Sequence, residues 1–182
     1  GLGEMHLNST ESNPQFFGYQ IDGFIGLTDQ KKGWEKDWID CFLNLRIIPQ
    51  LSVLDTKILD FETIDKVKKK IKAELQSHQP INTLVHGDLW SGNVGTIKSG
   101  KGVIYDPASW WADNEVDIAM TKLFGGFTKE FYDEYHKIFP IKKGFNKRIT
   151  IYNFYHILNH ANMFRGSYIH QVRNYVQAIL NM

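Results

Sequence analysis

The residues best suited to chemistry lie in the segment LVHGDLWSGNVG, which spans positions 84–95. Asp88 and Asn93 stand five positions apart there, and a second acid, Asp106, follows thirteen residues after Asn93. One carboxylate and one amide oxygen suit Mg²⁺, which takes few protein ligands and completes its coordination with water and substrate phosphates. A second carboxylate then remains free to accept a proton. Phosphoryl transfer requires this combination, because it depends on positioning, charge neutralisation and one carboxylate that orients the attacking hydroxyl.

The elements around this segment must bring Asp106 back to Asn93. The runs NVGTI and GVIYD are short and β-prone, and the glycine-containing turn KSGKG separates them, which predicts a hairpin. Asp106 would end the return strand just before Pro107, which cannot continue the pairing. We therefore expect Asp88 to be the base and Asn93 and Asp106 to be the metal ligands. The alternative is that Asp88 and Asn93 only accept hydrogen bonds from a turn.

The remaining pattern predicts a mainly helical α+β fold. Residues 1–33 carry glycines at four positions between 18 and 33, and we expect this segment to be mostly irregular. Apolar residues with helical spacing predict helices over 34–45, 64–75, 116–124, 128–139, 146–164 and 167–180. The helix over 146–164 is apolar nearly all round, so it should be central and buried.

Composition and charge narrow the class of protein. With 42% apolar and 14% aromatic residues among 182, the chain can bury a core, and no repeat or linker divides it. A net charge of +1 gives no global field for nucleic acid or an anionic membrane, so neither is expected as a partner. The lone Cys41 and the lack of a signal-like N-terminus favour a cytoplasmic setting. No apolar run reaches the roughly 20 residues of a membrane span.

Several motifs resemble one family of phosphotransferases. An Asp, four residues, an Asn and then a metal-binding Asp after a hairpin is the pattern of the protein-kinase-like catalytic lobe. More narrowly, the chain resembles the fructosamine kinase (ketosamine-3-kinase) family, which is related to aminoglycoside and choline phosphotransferases. The segments that carry this resemblance are HGDLWSGNVG, VIYDPASWW, EVDIAMTKLFGGF, YHILNHANMFRGSY and DGFIGLTDQKKGWEKDWIDCFLNLRIIPQL.

The resemblance implies a reaction and a set of roles. The reaction is ATP-dependent phosphorylation of a sugar hydroxyl on a ketosamine, which is a fructosamine or ribulosamine of a small amine, a glycated lysine or a glycated protein. The implied cofactors are ATP and Mg²⁺, with Asp88 as the base and Asn93 and Asp106 as metal ligands. Asp117 resembles the family's acid at the start of a later helix, and we expect it to steady the catalytic loop.

The chain also departs from the family pattern. Asp113 and Asn114 stand where the family has a basic pair, which puts substrate contacts there in doubt, and Arg165 stands where a glycine is usual. No G-x-G-x-x-G or Walker-type sequence occurs, and residues 1–33 are too irregular to build a lobe that covers a nucleotide. We therefore expect residues 1–182 to be a C-terminal catalytic lobe without its N-terminal lobe, and to be inactive alone.

Aromatic and histidine residues have more than one interpretation. Trp90 lies between the base and the amide, where it could stack on a sugar or simply pack. One of Trp110 and Trp111 should lie in the core, and we expect Trp111 to be the one that contacts substrate. His86 is expected to hold the loop by hydrogen bonds rather than to touch substrate.

Other features favour a structural interpretation. His156 and His160 are four apart on a predicted helix, but no third zinc ligand accompanies them, so we expect buried, neutral histidines. The lysine-rich run from 66 to 72 is expected to be a solvated helix face. Two rival functions stay open: a phosphotransferase for an aminoglycoside, choline or homoserine, and a non-catalytic lobe that serves as a binding module. The oligomeric state stays open as well.

Overall fold

A computed structural model describes residues 1–182, which form eight α-helices and eight short β-strands. The helices are α1 (Leu2–Glu11), α2 (Trp38–Phe42), α3 (Ile48–Val53), α4 (Phe61–Leu75), α5 (Glu115–Leu123), α6 (Lys129–Ile138), α7 (Phe145–Phe164) and α8 (Ser167–Leu180). The strands are β1 (Phe17–Tyr19), β2 (Gly23–Ile25), β3 (Thr28–Gln30), β4 (Gly33–Glu35), β5 (Asn82–Val85), β6 (Val94–Thr96), β7 (Gly102–Ile104) and β8 (Trp110–Asp113). A π-helical turn, Leu43–Ile47, joins α2 to α3, and a 3₁₀ turn, Ser91–Asn93, precedes β6.

A four-stranded antiparallel sheet in the order β4-β1-β8-β5 supports the central motif. Strand β5 pairs with β8 along its whole length, from Asn82 opposite Asp113 to Val85 opposite Trp110. Because β5 ends at Val85, the polar loop that follows starts from a fixed edge of the sheet. Two hairpins, β2 with β3 and β6 with β7, stand apart from this sheet.

Helix α7 lies at the centre of the helical layer, as its apolar sequence predicts. Most of its residues are buried, and it packs against α5 and α8 and also contacts α3 and α4. The Tyr152 hydroxyl accepts a hydrogen bond of 3.1 Å from Trp38 Nε1, and the Trp38 ring stacks on Trp110 with 5.6 Å between centroids. Helices and sheet therefore share one hydrophobic core.

Helix α4 shows how the sequence sets its own boundaries. The Asp60 carboxylate accepts a hydrogen bond of 2.7 Å from the Thr63 amide, which caps the first turn. Val67, Ile71 and Leu75 are buried about one turn apart, while the four lysines between them are exposed or partly exposed. Lys66 pairs with an acid four residues earlier on the helix, so the lysine-rich run is a solvated face, as expected.

The expectation for residues 1–33 is wrong. Residues 1–33 are not mostly irregular, since they hold α1, β1, β2, β3 and the first residue of β4. Glycines that suggested irregular chain instead let strands approach closely: a Cβ at Gly18, with φ +120°, would lie 2.0 Å from the Gly33 carbonyl oxygen. Tertiary contacts stabilise this segment, and such contacts leave no periodic signal in the local sequence.

Element boundaries also differ from the expected ones. The helix expected over 34–45 begins at Trp38, where Asp37 caps it, and continues through a π-helical turn into α3. Strand β7 ends at Ile104 rather than at Asp106, although the hairpin itself is as expected. The four later helices lie within a residue or two of their expected bounds. None of the helices combines the length and apolar character needed to cross a lipid bilayer.

Candidate active site

The loop after β5 brings Asp88 and Asn93 into contact. Asn93 Nδ2 donates to the Asp88 carbonyl oxygen at 2.9 Å and to Asp88 Oδ2 at 3.3 Å, and Asn93 is buried while Asp88 is partly exposed. Gly87 makes the tight turn possible, since its φ is +83° and a Cβ there would lie 2.1 Å from the Ala108 carbonyl oxygen. The amide nitrogen of Asn93 is thus committed to Asp88, which leaves its Oδ1 as the atom able to accept a cation.

The hairpin brings Asp106 to the same end of the loop. The Tyr105 amide donates to the Asn93 carbonyl oxygen at 3.1 Å, so Asp106 directly follows the residue that pairs with Asn93. Asp106 is exposed and has a left-handed backbone with φ +53°, which Asp tolerates better than most residues. The Asp106 carboxylate and the Asn93 side-chain oxygen are both hard oxygen donors. The residues present therefore fit Mg²⁺ better than a soft metal.

The electrostatic setting of Asp88 favours proton acceptance. Burial raises the pKa of Asp88 above the usual value for an aspartate, and the neighbouring His160 and His86 side chains and the Asn93 hydrogen bond oppose that rise. A carboxylate with a raised pKa is a stronger base than a fully solvated one. This shift is in the direction that general-base chemistry needs.

Asp117 anchors the loop by its backbone. Asp117 Oδ2 accepts from the His86 amide at 2.7 Å, and Oδ1 accepts from the Gly87 amide at 2.8 Å. Burial alone would raise the pKa of Asp117, but the hydrogen bond and charge of His6 and the two backbone N–H groups hold it below its usual value. A buried, ionised Asp117 therefore fixes the two residues that precede Asp88, and it lies where a scaffold residue was expected.

His6 completes this anchor, and sequence reasoning missed it. His6 Nε2 lies 3.1 Å from Asp117 Oδ2, and Nδ1 lies 2.8 Å from the Tyr135 hydroxyl, which also accepts from Asn114 Nδ2 at 2.8 Å. All four residues are buried. The only signal available was a histidine in a segment without clear periodicity, so α1, α5 and α6 were not expected to meet beneath the loop.

His86 makes hydrogen bonds within the loop. Its Nε2 donates to the Tyr105 carbonyl oxygen at 2.9 Å, and its Nδ1 accepts from the Asp88 amide at 3.3 Å. One neutral tautomer satisfies both contacts, so His86 links the hairpin to the loop without needing a charge. These contacts are those expected of a scaffold residue.

Trp90 forms part of an aromatic surface beside the loop. Its ring lies over Gly92, where a Cβ would lie 2.2 Å from Trp90 Cη2, and it meets the Phe124 ring edge-on at 6.0 Å between centroids. His160 lies 5.1 Å from Phe124 and 4.9 Å from Tyr168 by ring centroids. Trp90 retains 38% of its exposure, so its ring can also meet a ligand.

The other predicted aromatic and histidine residues have structural surroundings. Trp110 is fully buried, as expected for one tryptophan of the pair, while Trp111 is partly exposed in the middle of β8 opposite Leu84 and Gly18. His156 is fully buried, and burial lowers its pKa to about 3, so it is neutral. His160 Nδ1 donates to the His156 carbonyl oxygen at 2.8 Å, so these two histidines do not form a shared zinc site through that nitrogen.

The departures from the family pattern also have structural contacts. Asp113 is buried and accepts hydrogen bonds from His78 and Tyr152, each at 2.7 Å, and from the Ile81 amide at 3.2 Å. Asn114 donates to Tyr135 in the anchor beneath the loop. Both residues therefore hold the β8–α5 junction in place. Arg165 is exposed and ends α7 with φ +52°.

Comparison with solved structures defines the class of fold. The chain resembles a choline kinase from Streptococcus pneumoniae with a TM-score of 0.62 at 15% identity, covering 100% of this chain and 61% of that one. It resembles more strongly a candidate fructosamine-3-kinase from Haemophilus somnus, with a TM-score of 0.88 at 30% identity, covering 98% and 60% of the two chains. The fold is therefore kinase-like.

Comparison with other sequences gives the family. The fructosamine kinase family model matches residues 1–182, and the chain belongs to that family. A probable ketoamine kinase of Vibrio vulnificus is 44% identical over 165 residues, which are 91% of this chain and 57% of that protein. One from Synechocystis is 43% identical over 166 residues, with 91% and 56% covered. The chain thus spans somewhat more than half the length of these relatives.

Proposed function

We propose that the protein containing this chain is a kinase that transfers phosphate from ATP to a sugar hydroxyl of a ketosamine. The observation that carries this proposal is the hydrogen bond between the side chains of Asp88 and Asn93. Asp106 directly follows Tyr105, whose amide donates to the Asn93 carbonyl oxygen. Membership of the fructosamine kinase family and the ketoamine kinase names of its relatives support it. In the alternative, Asp88 and Asn93 would only hold the turn together by the hydrogen bonds between them.

In the proposed reaction, Asp88 accepts the proton of the attacking hydroxyl. As that proton moves to the carboxylate, the hydroxyl oxygen bonds to the terminal phosphorus of ATP and ADP leaves. Asn93 and Asp106 would hold Mg²⁺, which when bound neutralises phosphate charge. Asp117 and His86 keep the loop fixed during this step, so little reorganisation is needed when charge moves.

The aromatic surface at Trp90 supports a sugar acceptor. A sugar ring presents apolar C–H faces between its hydroxyls, and such faces pack well on aromatic side chains. Trp90 is in the same loop as Asp88, so a sugar stacked there would have hydroxyls near the base. We propose Trp90 as an acceptor contact. Trp111, which pairs with Leu84 in the sheet, is a second proposed contact for the acceptor.

The test is an assay of the intact protein with ATP, Mg²⁺ and either fructosyl-lysine or ribulosyl-lysine. Asp88→Asn should lower kcat by about 10²- to 10⁴-fold, since it removes the base but keeps the shape of the side chain. Asp65→Asn, on the exposed face of α4, is the matched control and should leave turnover unchanged. Equal turnover in Asp88→Asn would remove Asp88 from the mechanism. Faster turnover of choline or an aminoglycoside would reject the ketosamine.

A further inference from the structure

Arg46 is a buried cation that the proposed mechanism does not use. It lies in the π-helical turn between α2 and α3, and only 1% of its side chain is exposed. Its guanidinium carbon stacks 4.0 Å from the centroid of the Trp110 ring, and Nη1 donates to the carbonyl oxygens of Lys31 at 3.0 Å and Leu45 at 2.8 Å. Such π-helical insertions occur frequently at functional sites.

The other edge of this guanidinium has no protein acceptor. Nε and Nη2 of Arg46 are buried and make no hydrogen bond with the chain. In Arg148 the same two nitrogens donate to the two oxygens of the Glu115 carboxylate, at 2.5 and 2.8 Å. Arg148 therefore shows that the Nε–Nη2 edge of an arginine binds a carboxylate.

The charge of Arg46 is also not balanced by an acid. Burial lowers the pKa of Arg46. The neighbouring groups that act in the opposite direction are Tyr155 and Cys41, and neither is ionised at neutral pH. An arginine stays charged in proteins, and a buried charge without a partner is costly. A fold that retains such a group gains when an anion binds there.

Arg46 forms part of the wall of a cleft of about 220 Å³. Residues 19 and 21–24, with residues 30 and 31 of the β2–β3 region, form one side, and residues 107–109 form the other. The one acid in this lining, Asp22, is paired with Lys32 at 3.1 Å. Gln30 Nε2 donates to the Ala108 carbonyl oxygen at 3.1 Å, and the Ala108 amide donates to the His86 carbonyl oxygen at 2.9 Å. The cleft is therefore joined by hydrogen bonds to the loop that carries Asp88.

We propose that this cleft binds the carboxylate of the acceptor, with Arg46 Nε and Nη2 donating to its two oxygens. The acceptor would then be a ketoamine of a free amino acid, which carries a carboxylate, rather than a ketoamine on a lysine side chain within a protein. Both nitrogens are buried, so the lining of the cleft must rearrange locally when the ligand enters. This inference rests on the proposed function for the identity of the ligand, but not for the presence of an anion site.

The test compares two acceptors that differ only in charge. The intact protein is assayed with N-(1-deoxyfructosyl)glycine and with its N-methylamide, and the binding of both is measured by calorimetry without ATP. The carboxylate should bind about tenfold or more tightly than the amide, with a matching difference in KM and a similar kcat. Equal affinity for the two compounds would overturn the proposal.

Variants distinguish the paired donors of Arg46 from its positive charge. Arg46→Lys keeps the positive charge but loses the planar pair of donors, so the preference for the carboxylate should fall below about threefold. Lys57→Gln, which removes an exposed lysine between α3 and α4 and outside the cleft, is the control and should keep the preference. Because the preference is a ratio measured on one sample, it does not depend on how much of a variant is folded. An unchanged preference in Arg46→Lys would contradict the proposal.

The two proposals fail in different ways. If neither fructosyl-lysine nor ribulosyl-lysine is phosphorylated, the proposed function fails, while the calorimetric preference still decides the role of Arg46. If both are phosphorylated equally well and bind equally well, the proposed function stands and the Arg46 site is rejected. Binding of inorganic phosphate that Arg46→Lys weakens, without any preference between the ketoamines, would overturn the carboxylate assignment.

Discussion

Arg165 carries the clearest backbone strain of any single residue near the aromatic surface. Its φ of +52° and ψ of −131° belong to a region that is essentially restricted to glycine. The next residue, Gly166, has nearly the same angles, with φ +54° and ψ −130°. The α7–α8 junction thus uses two consecutive glycine-type conformations but has a glycine at only one of them.

Replacing Arg165 with glycine should stabilise the fold. Relief of the strain, less the extra entropy of glycine in the unfolded chain, should give about 1 kcal/mol, or a rise in Tm of roughly 2–4 °C. Gly166→Ala is the matched control, because it puts a Cβ into the same conformation and should lower Tm. Scanning calorimetry measures both. A fall in Tm for Arg165→Gly would show that the arginine side chain makes a contact that outweighs its strain.

Gly92 is needed for the position of Trp90. A methyl group at Gly92 would overlap the six-membered ring of the indole, with three ring carbons within 2.7 Å. Gly92→Ala should therefore move the ring, raise KM for the acceptor severalfold and shift the tryptophan fluorescence. Gly95→Ala is the control, because its Cβ would meet only ordinary contacts at 3.5 Å or more. Unchanged KM and fluorescence in Gly92→Ala would show that the ring is not held where we describe it.

The sequence indicated contacts only between residues that lie close together along the chain. Asp88 and Asn93 lie five positions apart, so residue type and spacing could indicate their contact before any coordinates existed. The buried partner of Asp117 could not be found this way, because His6 is 111 positions away and has no motif of its own. The unpaired edge of Arg46 is invisible in sequence for the same reason.

Helix α1 packs beneath the loop that carries Asp88, although the two are far apart in sequence. Its His6 side chain supplies one hydrogen bond to the carboxylate that holds the loop amides. Long helices with regular apolar spacing, such as α4 and α7, were predictable from the sequence. Strands β1 to β4 were not, because pairings such as Gly18 with Trp111 depend on residues far away in the chain rather than on local preference.

Removing the His6 ring should loosen the loop. His6→Ala leaves the buried Asp117 carboxylate with one donor fewer, at a cost of about 1–3 kcal/mol. Hydrogen exchange at the His86 and Gly87 amides should become faster, and Tm should fall by several degrees. His170→Ala, at an exposed position of α8, is the control. Unchanged exchange at these two amides would mean that Asp117 holds the loop without help from α1.

At the scale of the whole molecule, the partly buried Asp88 should lower the stability of the fold at neutral pH. Burial raises the pKa of Asp88 in the folded chain above its value of 3.8 when solvated, so the unfolded chain ionises first as pH rises. Stability from this group is full below the unfolded pKa and is lost as pH rises through the folded pKa. Asp88→Asn removes this loss, so the variant should have the higher Tm at pH 7.

Thermal unfolding at several pH values checks the sign of this effect. The difference in Tm between Asp88→Asn and the unaltered protein should shrink as pH falls towards 4. Asp65→Asn is the control: Lys69 lowers the pKa of Asp65, so that change should not raise Tm at pH 7. A lower Tm for Asp88→Asn at pH 7 would show that hydrogen bonds to the ionised carboxylate outweigh its burial.

The contacts beneath the loop can form only after residues far along the chain have been synthesised. The amides that set the loop are bound by a carboxylate 30 and 31 positions later, which in turn contacts a histidine near the start of the chain and, through it, Tyr135. A ribosome adds Asp88 long before Tyr135 emerges from the exit tunnel. The nascent polypeptide therefore carries its acid for many elongation cycles before the geometry around it can settle.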